Sequence, residues 1–177
     1  KSTILQLILG DLKPNTGTVT LDKINVLSLQ KERSKLFSVL NQEPFLFNTT
    51  IYENLKMANP DATADQMMEI LEKVQLADFI NSLPKKLDTE VAEAGARFSG
   101  GQKERLALAR VLLQDTPIVL LDEPTVGLDP LTEQKLLNLV FDVLKKKTVV
   151  WVTHHLQGVK YMNEVLFFKD GKVTMQG

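Results

Sequence analysis

The chain has 177 residues and a mass of 19.9 kDa, with 21 lysines and arginines against 22 acidic residues and a net charge of −1. That balance excludes a protein that holds nucleic acid by bulk positive charge, and the lack of cysteine excludes a disulfide scaffold, a thiolate nucleophile and cysteine-ligated zinc. With 44% hydrophobic residues the chain can bury the core of one domain, and no apolar run approaches the ~18 residues of a membrane span. The start, Lys1-Ser2-Thr3-Ile4-Leu5, has no signal-peptide pattern and no initiator methionine, so the gene is expected to begin upstream.

In chain order, Ile4, Leu5, Ile8, Leu9 and Leu12 recur at helical spacing and predict a short helix over Ile4–Leu12, weakened by Gly10. Pro14-Asn15-Thr16-Gly17 is a turn. Thr18–Leu21 reads as a strand that Asp22-Lys23 turns into Ile24–Val26. Leu36–Leu40 is a second apolar strand, followed by a loop through Pro44 and a short segment, Thr50–Met57. Residues Ala62–Ser82 read as helix, with Met67, Ile70, Leu71 and Val74 on one stripe, and Pro84 ends the block. Gly101–Leu113 is a strong amphipathic helix, Pro117–Leu121 a buried strand, Pro130–Leu144 a helix and Thr148–Val152 another buried strand. A short helix near Leu156–Met162 precedes a hairpin of Val165–Lys169 and Lys172–Met175 around Asp170-Gly171. Lys145-Lys146-Lys147 reads as a solvated helix end that suits the dipole. Apolar strands alternating with helices predict an α/β fold on a mainly parallel sheet with antiparallel elements. The helical block at about 62–115 reads as a subdomain inserted between two strands of a single domain.

Three strings carry chemistry. Ile118-Val119-Leu120-Leu121-Asp122-Glu123-Pro124 puts two acids at the carboxyl end of a buried strand, where ligands bind in open α/β sheets. One acid there can hold Mg²⁺ through water and the other can orient or deprotonate an attacking water. A strand closing in a polar turn reads the same way by itself. Phe98-Ser99-Gly100-Gly101-Gln102 opens a helix whose free N–H groups, with the Ser99 hydroxyl, make an anion site. Lys1-Ser2-Thr3 ahead of a helix fits the tail of a P-loop, Gly-Lys-Ser/Thr, cut at its lysine.

These strings, with others in series, resemble the ATP-binding cassette (ABC) transporter ATPases along the whole chain. Phe98–Gln102 is similar to the family signature Leu-Ser-Gly-Gly-Gln, with Phe98 in place of leucine. Ile118–Asp122 resembles the Walker B strand and Glu123 the glutamate after it. Gly127-Leu128-Asp129 resembles the D-loop, Thr153-His154 the switch histidine and Gln42 the Q-loop glutamine. The resemblance implies a P-loop NTPase fold with an inserted signature subdomain, ATP and Mg²⁺ as ligands, and ATP hydrolysis. It further implies that Lys1 contacts the β- and γ-phosphates, that Ser2 ligates Mg²⁺, and that Thr3 caps the helix near the α-phosphate. Asp122 would hold Mg²⁺ through water, and Glu123 would serve as general base. His154 would bind the γ-phosphate, its alternative being a buried structural histidine. Gln42 would sense Mg²⁺ and the attacking water and link the site to a membrane partner. Asp129 would belong to the nucleotide site through the D-loop. Ser99, Gly100, Gly101 and Gln102 would face the γ-phosphate held by a second ABC ATPase domain, in a homo- or heterodimer joined head to tail. His155 has no counterpart and reads as a residue at a helix start.

Within the family, Glu43-Pro44-Phe45-Leu46-Phe47 through Ile51-Tyr52-Glu53-Asn54-Leu55 is similar to the exporter form of the Q-loop region. Thr89-Glu90-Val91-Ala92-Glu93-Ala94-Gly95 resembles the exporter segment that touches the membrane domain, with Ala92 in place of the usual glycine. Exporters fuse this ATPase behind six membrane helices, so the resemblance implies a transmembrane domain upstream in the same chain and a place on the cytoplasmic face of the membrane. Asn41–Pro44, Glu123–Pro130 and Trp151–Leu156 are similar to the CydC-type branch, heterodimers that export cysteine or glutathione. Lys1 and Ser99 stand 98 positions apart, too few for the long coiled coil of chromosome-maintenance ABC ATPases. Glu123 and His154 argue against a non-catalytic interaction module.

Overall fold

The computed structural model describes residues 2–91, 98–124, 130–154 and 156–177. Helix α1 spans Ser2–Leu9 and stops at Gly10, whose φ of +73° only a residue without Cβ adopts easily. Strands β1 (Thr20–Leu21) and β2 (Ile24–Asn25) form an antiparallel hairpin. Its two turn residues, Asp22 and Lys23, both take positive φ, the conformation a two-residue hairpin turn requires. Helix α2 (Arg33–Leu36) runs straight into β3 (Phe37–Leu40), so Leu36 closes a helical turn and does not open the strand.

Thr50 caps α3 (Ile51–Lys56) by accepting the Glu53 N–H at 3.0 Å. The segment read as one helix over 62–82 is two, α4 (Ala64–Lys73) and α5 (Ala77–Ser82). Gln75 breaks it in the left-handed region at φ 58°, and the Leu76 N–H reaches back to the Leu71 carbonyl at 2.8 Å. The break turns Leu76 and Ile80 into the same core as Met67, Leu71 and Val74. A straight helix would have spread these five around its circumference. Helix α6 (Gly100–Gln114), strand β4 (Ile118–Asp122), helix α7 (Pro130–Leu144) and strand β5 (Thr148–Val152) follow. The short helix expected near Leu156–Met162 is a 3-10 helix over Leu156–Tyr161, and it leads to the hairpin of β6 (Leu166–Lys169) and β7 (Lys172–Gln176).

Strands β3, β4 and β5 lie side by side, all parallel, with β4 in the middle. Helices α3 to α6 occupy the chain between β3 and β4, which pair directly. The sheet is covered on both faces, as parallel sheets must be. Leu5 and Leu9 of α1 pack with Phe37, Ile118 and Leu120 on one side. On the other, Leu40, Val119 and Leu121 join the large core formed with the helices, including Leu106 and Leu108 of α6 and Val140 and Leu144 of α7. The side-chain alternation of β4 therefore divides two cores. Strand β5 is less buried than its apolar sequence led us to expect, because among the described residues it pairs with β4 alone. The lysine run also departs from the expected solvated end. Lys145 and Lys146 are exposed, but the Lys147 ammonium donates to the Asp115 carboxylate and the Thr116 carbonyl, both at 2.6 Å.

Two substitutions test this packing by urea denaturation. Leu71→Ala, at a fully buried position, is expected to destabilise by about 2–5 kcal/mol. Gln75→Gly, which relieves a left-handed residue, is expected to stabilise by about 1 kcal/mol.

Candidate functional site

The parallel register places three loops at one end of the sheet. Leu40 pairs with Leu121 and Leu121 with Trp151, while Asp122 pairs with Val152. Gln42, Glu123 and His154 follow within two residues of these strand ends. Their side chains meet: Glu123 Oε1 lies 2.9 Å from His154 Nε2, and Gln42 Nε2 donates to Glu123 Oε2 over 3.4 Å. The Glu123 side chain is only 13% exposed, whereas His154 is 69% exposed. A carboxylate is thus held largely out of solvent, with an imidazole and an amide at its two oxygens. Asp122, the last residue of β4, is 7% exposed.

Glu123 has a φ of 52°, unusual for a residue with a side chain and more so before Pro124. Its N–H donates to the Val152 carbonyl at 2.9 Å, which prolongs the β4–β5 ladder past the end of β4. Strain of this kind costs about 1–3 kcal/mol and persists where its surroundings hold it. Here the turn lifts the carboxylate out of the strand and toward His154 and Gln42.

Ser2 and Thr3 lie exposed in the first turn of α1, whose N–H groups have no partners within the helix. Lys1 falls outside the described residues, as do Gly127, Leu128 and Asp129 of the expected D-loop, residues 92–97 and His155. Ser99 and Gln102 form a capping box: Ser99 Oγ accepts the Gln102 N–H at 3.2 Å, and Gln102 Oε1 accepts the Ser99 N–H at 2.8 Å. Gly100 faces open space. Phe98, in the usual leucine position, is buried edge-on against Phe79 of α5 at 5.1 Å. Arg105 donates to the Gly101 and Gln75 carbonyls, both at 3.1 Å. The Ser99–Gln102 segment is therefore anchored to the helical layer, while Gln42, Glu123 and His154 rise from the sheet.

A groove that the sequence motifs did not indicate opens beside Gln42. It encloses about 390 Å³ and is lined by Asn41, Pro44, Phe45, Phe47, Met57 and Arg110, among others. Phe45 is 70% exposed on its rim. Fully buried Asn54 shapes the loop, accepting the Phe47 N–H at 2.9 Å and donating to the Phe47 and Thr50 carbonyls at 2.9 and 3.0 Å. Arg110 donates to the Phe45 carbonyl at 2.9 Å and lies over the Phe47 ring, and burial lowers its pKa. Thr89–Val91 pairs with Thr49–Ile51 through the Ile51 N–H to Thr89 carbonyl and Val91 N–H to Thr49 carbonyl bonds. The two stretches read separately as exporter segments thus adjoin. Two exposed phenylalanines flanking one leucine in a loop were the signal available for this groove.

Comparison with known proteins agrees with this architecture. The family model described as ABC transporter matches residues 1–126, and the chain belongs to that family. Over 177 residues it is 49% identical to the glutathione/L-cysteine transport system ATP-binding/permease protein CydD of Bacillus subtilis, covering all of this chain and 31% of that protein. It is 36% identical to the corresponding CydC protein of Escherichia coli, again over all of this chain and 31% of the relative. A solved bacterial Atm1-family ABC exporter with ATP bound superposes with a TM-score of 0.91 at 32% identity, over the whole of this chain and 31% of that one. The chain spans less than a third of the length of these relatives. Its fold is that of the ABC ATPases, a P-loop NTPase sheet with antiparallel hairpins and a helical layer.

Electrostatics around the second turn of α6 gives a test. Burial raises the pKa of the Glu104 carboxyl above its ordinary value of 4.5. The folded state therefore binds more protons than the unfolded state just above that value, and stability falls as pH rises through the folded pKa. Glu104→Gln, neutral throughout, is expected to melt above the wild type at pH 7, with the gap closing toward pH 4. Thermal melts across that range measure it.

Proposed function

We propose that this chain is the ATP-hydrolysing motor of an ABC exporter, and that ATP binding and hydrolysis close and open a head-to-tail pair of such domains to drive transport. The observation that carries this reading is the Glu123 carboxylate, held just past the end of β4 between Gln42 and His154. As a water oxygen attacks the γ-phosphorus, Glu123 would take the water proton, and the bond to the bridging oxygen would break with its electrons going to ADP. His154 would orient the carboxylate from one oxygen and reach the γ-phosphate, while Gln42 would hold the other oxygen. Lys1 would bind the β- and γ-phosphates, and Thr3 would complete the first turn of α1 beneath them.

The oxygen donors suit a hard cation. Ser2, Gln42 and buried Asp122 are the residues that would hold Mg²⁺, largely through water and phosphate. Mg²⁺ would neutralise charge on the β- and γ-phosphates. Ser99, Gly100, Gly101 and Gln102, with Asp129, would meet the nucleotide of the second domain, the free N–H groups of α6 facing its γ-phosphate.

The relatives are ATP-binding/permease proteins of which this chain covers 31%, which supports a membrane-spanning domain in the same polypeptide. That domain would dock at the groove beside Gln42, where exposed Phe45, Phe47 and Met57 offer apolar contacts. The motor would then work at the cytoplasmic face of the membrane. The names of the two Cyd relatives support glutathione or cysteine as cargo. No helix among the described residues is long and apolar enough to cross a membrane itself.

In the longer protein that carries this chain, Glu123→Gln is expected to lower ATP turnover by about 10²-fold or more and to leave ATP trapped in a closed pair. Phosphate release and nucleotide retention measure both, and wild-type turnover in this variant would refute the reading.

A further inference from the structure

The 3-10 turn after His154 presses its one glycine against the only tryptophan in the chain. Gly158 is buried, and a Cβ there would overlap Trp151 Cζ3 and Cη2 and sit 3.2 Å from Cε3. Real Cβ atoms do not approach carbon so closely, so any side chain at 158 must displace the indole or the turn.

The indole has little room to yield. On its α7 side lies the Phe141 ring, with centroids 5.2 Å apart, and Phe141 stacks on Tyr161 at 4.6 Å and 24°. The Tyr161 hydroxyl is tied to Asn138 Oδ1 at 2.5 Å, which returns the chain of contacts to α7. Trp151 also packs against the large core beneath the helices. The ring of contacts closes from β5 to α7 to the turn and back to β5, which couples a displacement of the indole or the turn to the backbone of β5.

That coupling leads to the site. The residue after Trp151 is Val152, whose carbonyl receives the Glu123 N–H. Two residues further on is His154, whose Nε2 meets Glu123 Oε1. The contact that β5 makes with Glu123 and the one made by the loop after it both lie within three residues of the packed indole.

We propose that Gly158 is a positioning residue: its missing side chain lets the turn close on Trp151, and this closure seats Val152 and His154 against Glu123. The proposal rests on the hydrolytic reading of Glu123 and His154 for its kinetic consequence, but its geometric consequence can be read without turnover. Misplacement of reacting groups by about 1 Å can cost up to about 10²-fold in rate. A loss of that origin appears in kcat and spares the binding of ATP by other elements.

The test uses the longer protein that carries this chain, as wild type, Gly158→Ala, Trp151→Val and the double variant. Gly158→Ala is expected to lower kcat by about tenfold or more with KM for ATP changed by less than about twofold. In the Trp151→Val background, where the indole is gone, the same change is expected to have little effect. A second readout is the rate at which diethyl pyrocarbonate modifies His154, followed by peptide mass spectrometry. His154 freed from Glu123 should react faster in Gly158→Ala and return in the double variant to the rate of Trp151→Val. Wild-type kcat and wild-type His154 reactivity in Gly158→Ala would overturn the proposal, as would an equal loss in both backgrounds. If Gly158→Ala alone does not fold, the double variant decides: behaviour equal to Trp151→Val upholds the proposal and any further loss overturns it. If the wild type itself hydrolyses no ATP, the motor reading fails and the His154 reactivities alone decide the role of Gly158.

Discussion

The parallel register of β3, β4 and β5 is the constraint on which the site depends. Parallel strands end on the same side of a sheet, so the loops that follow them converge. Leu40, Leu121 and Trp151 are register partners, which puts Gln42 and Glu123 almost level and His154 one step beyond. A slip of one residue in β4 would exchange its two faces, sending Leu120 toward the helices and Leu121 toward α1. Two separate cores, one under each face, make that slip costly. Packing on both sides of a single five-residue strand therefore fixes where the carboxylate stands.

Local strain finishes what register begins. A carboxylate that continued β4 in extended geometry would point to one face of the sheet. The left-handed turn at Glu123 brings it to His154 and Gln42, and the bond from its N–H to Val152 holds that turn closed. The same three-residue stretch of β5 and its loop is clamped from behind by Trp151, Phe141, Tyr161 and Gly158. Glu123 is thus held by its own strand, by the neighbouring strand and by the aromatic cluster behind that strand.

Gln42 connects this centre to the rest of the molecule. It touches Glu123 with its side chain, and its neighbour Asn41 lines the groove under Phe45 and Phe47. Arg110 lines that groove from α6, and Asn54 of α3 fixes the loop that carries Phe47. Whatever occupies the groove shares one short loop with the carboxylate, a contiguous physical route between the two surfaces.

Much of the architecture was legible in the residues. The limits of α7 and β5 and the order of elements follow from hydrophobic period, and Asp122, Glu123, Ser99 and Gln102 stood out because acids after an apolar run and glycines before a helix are local patterns. The family itself could be read from such strings. The break at Gln75 could not, because left-handed glutamine has no strong local signal and is stabilised by the distant core that Leu76 and Ile80 enter. Nor could the groove, the tie from Lys147 to Asp115, or the fit of Gly158 on Trp151, which join residues far apart in the chain or on separate elements. The sequence by itself determined which residue types stand at each strand end, since composition and period are local properties. Only the tertiary structure decided which of them touch, because contact across a sheet is set by register and by packing on both of its faces.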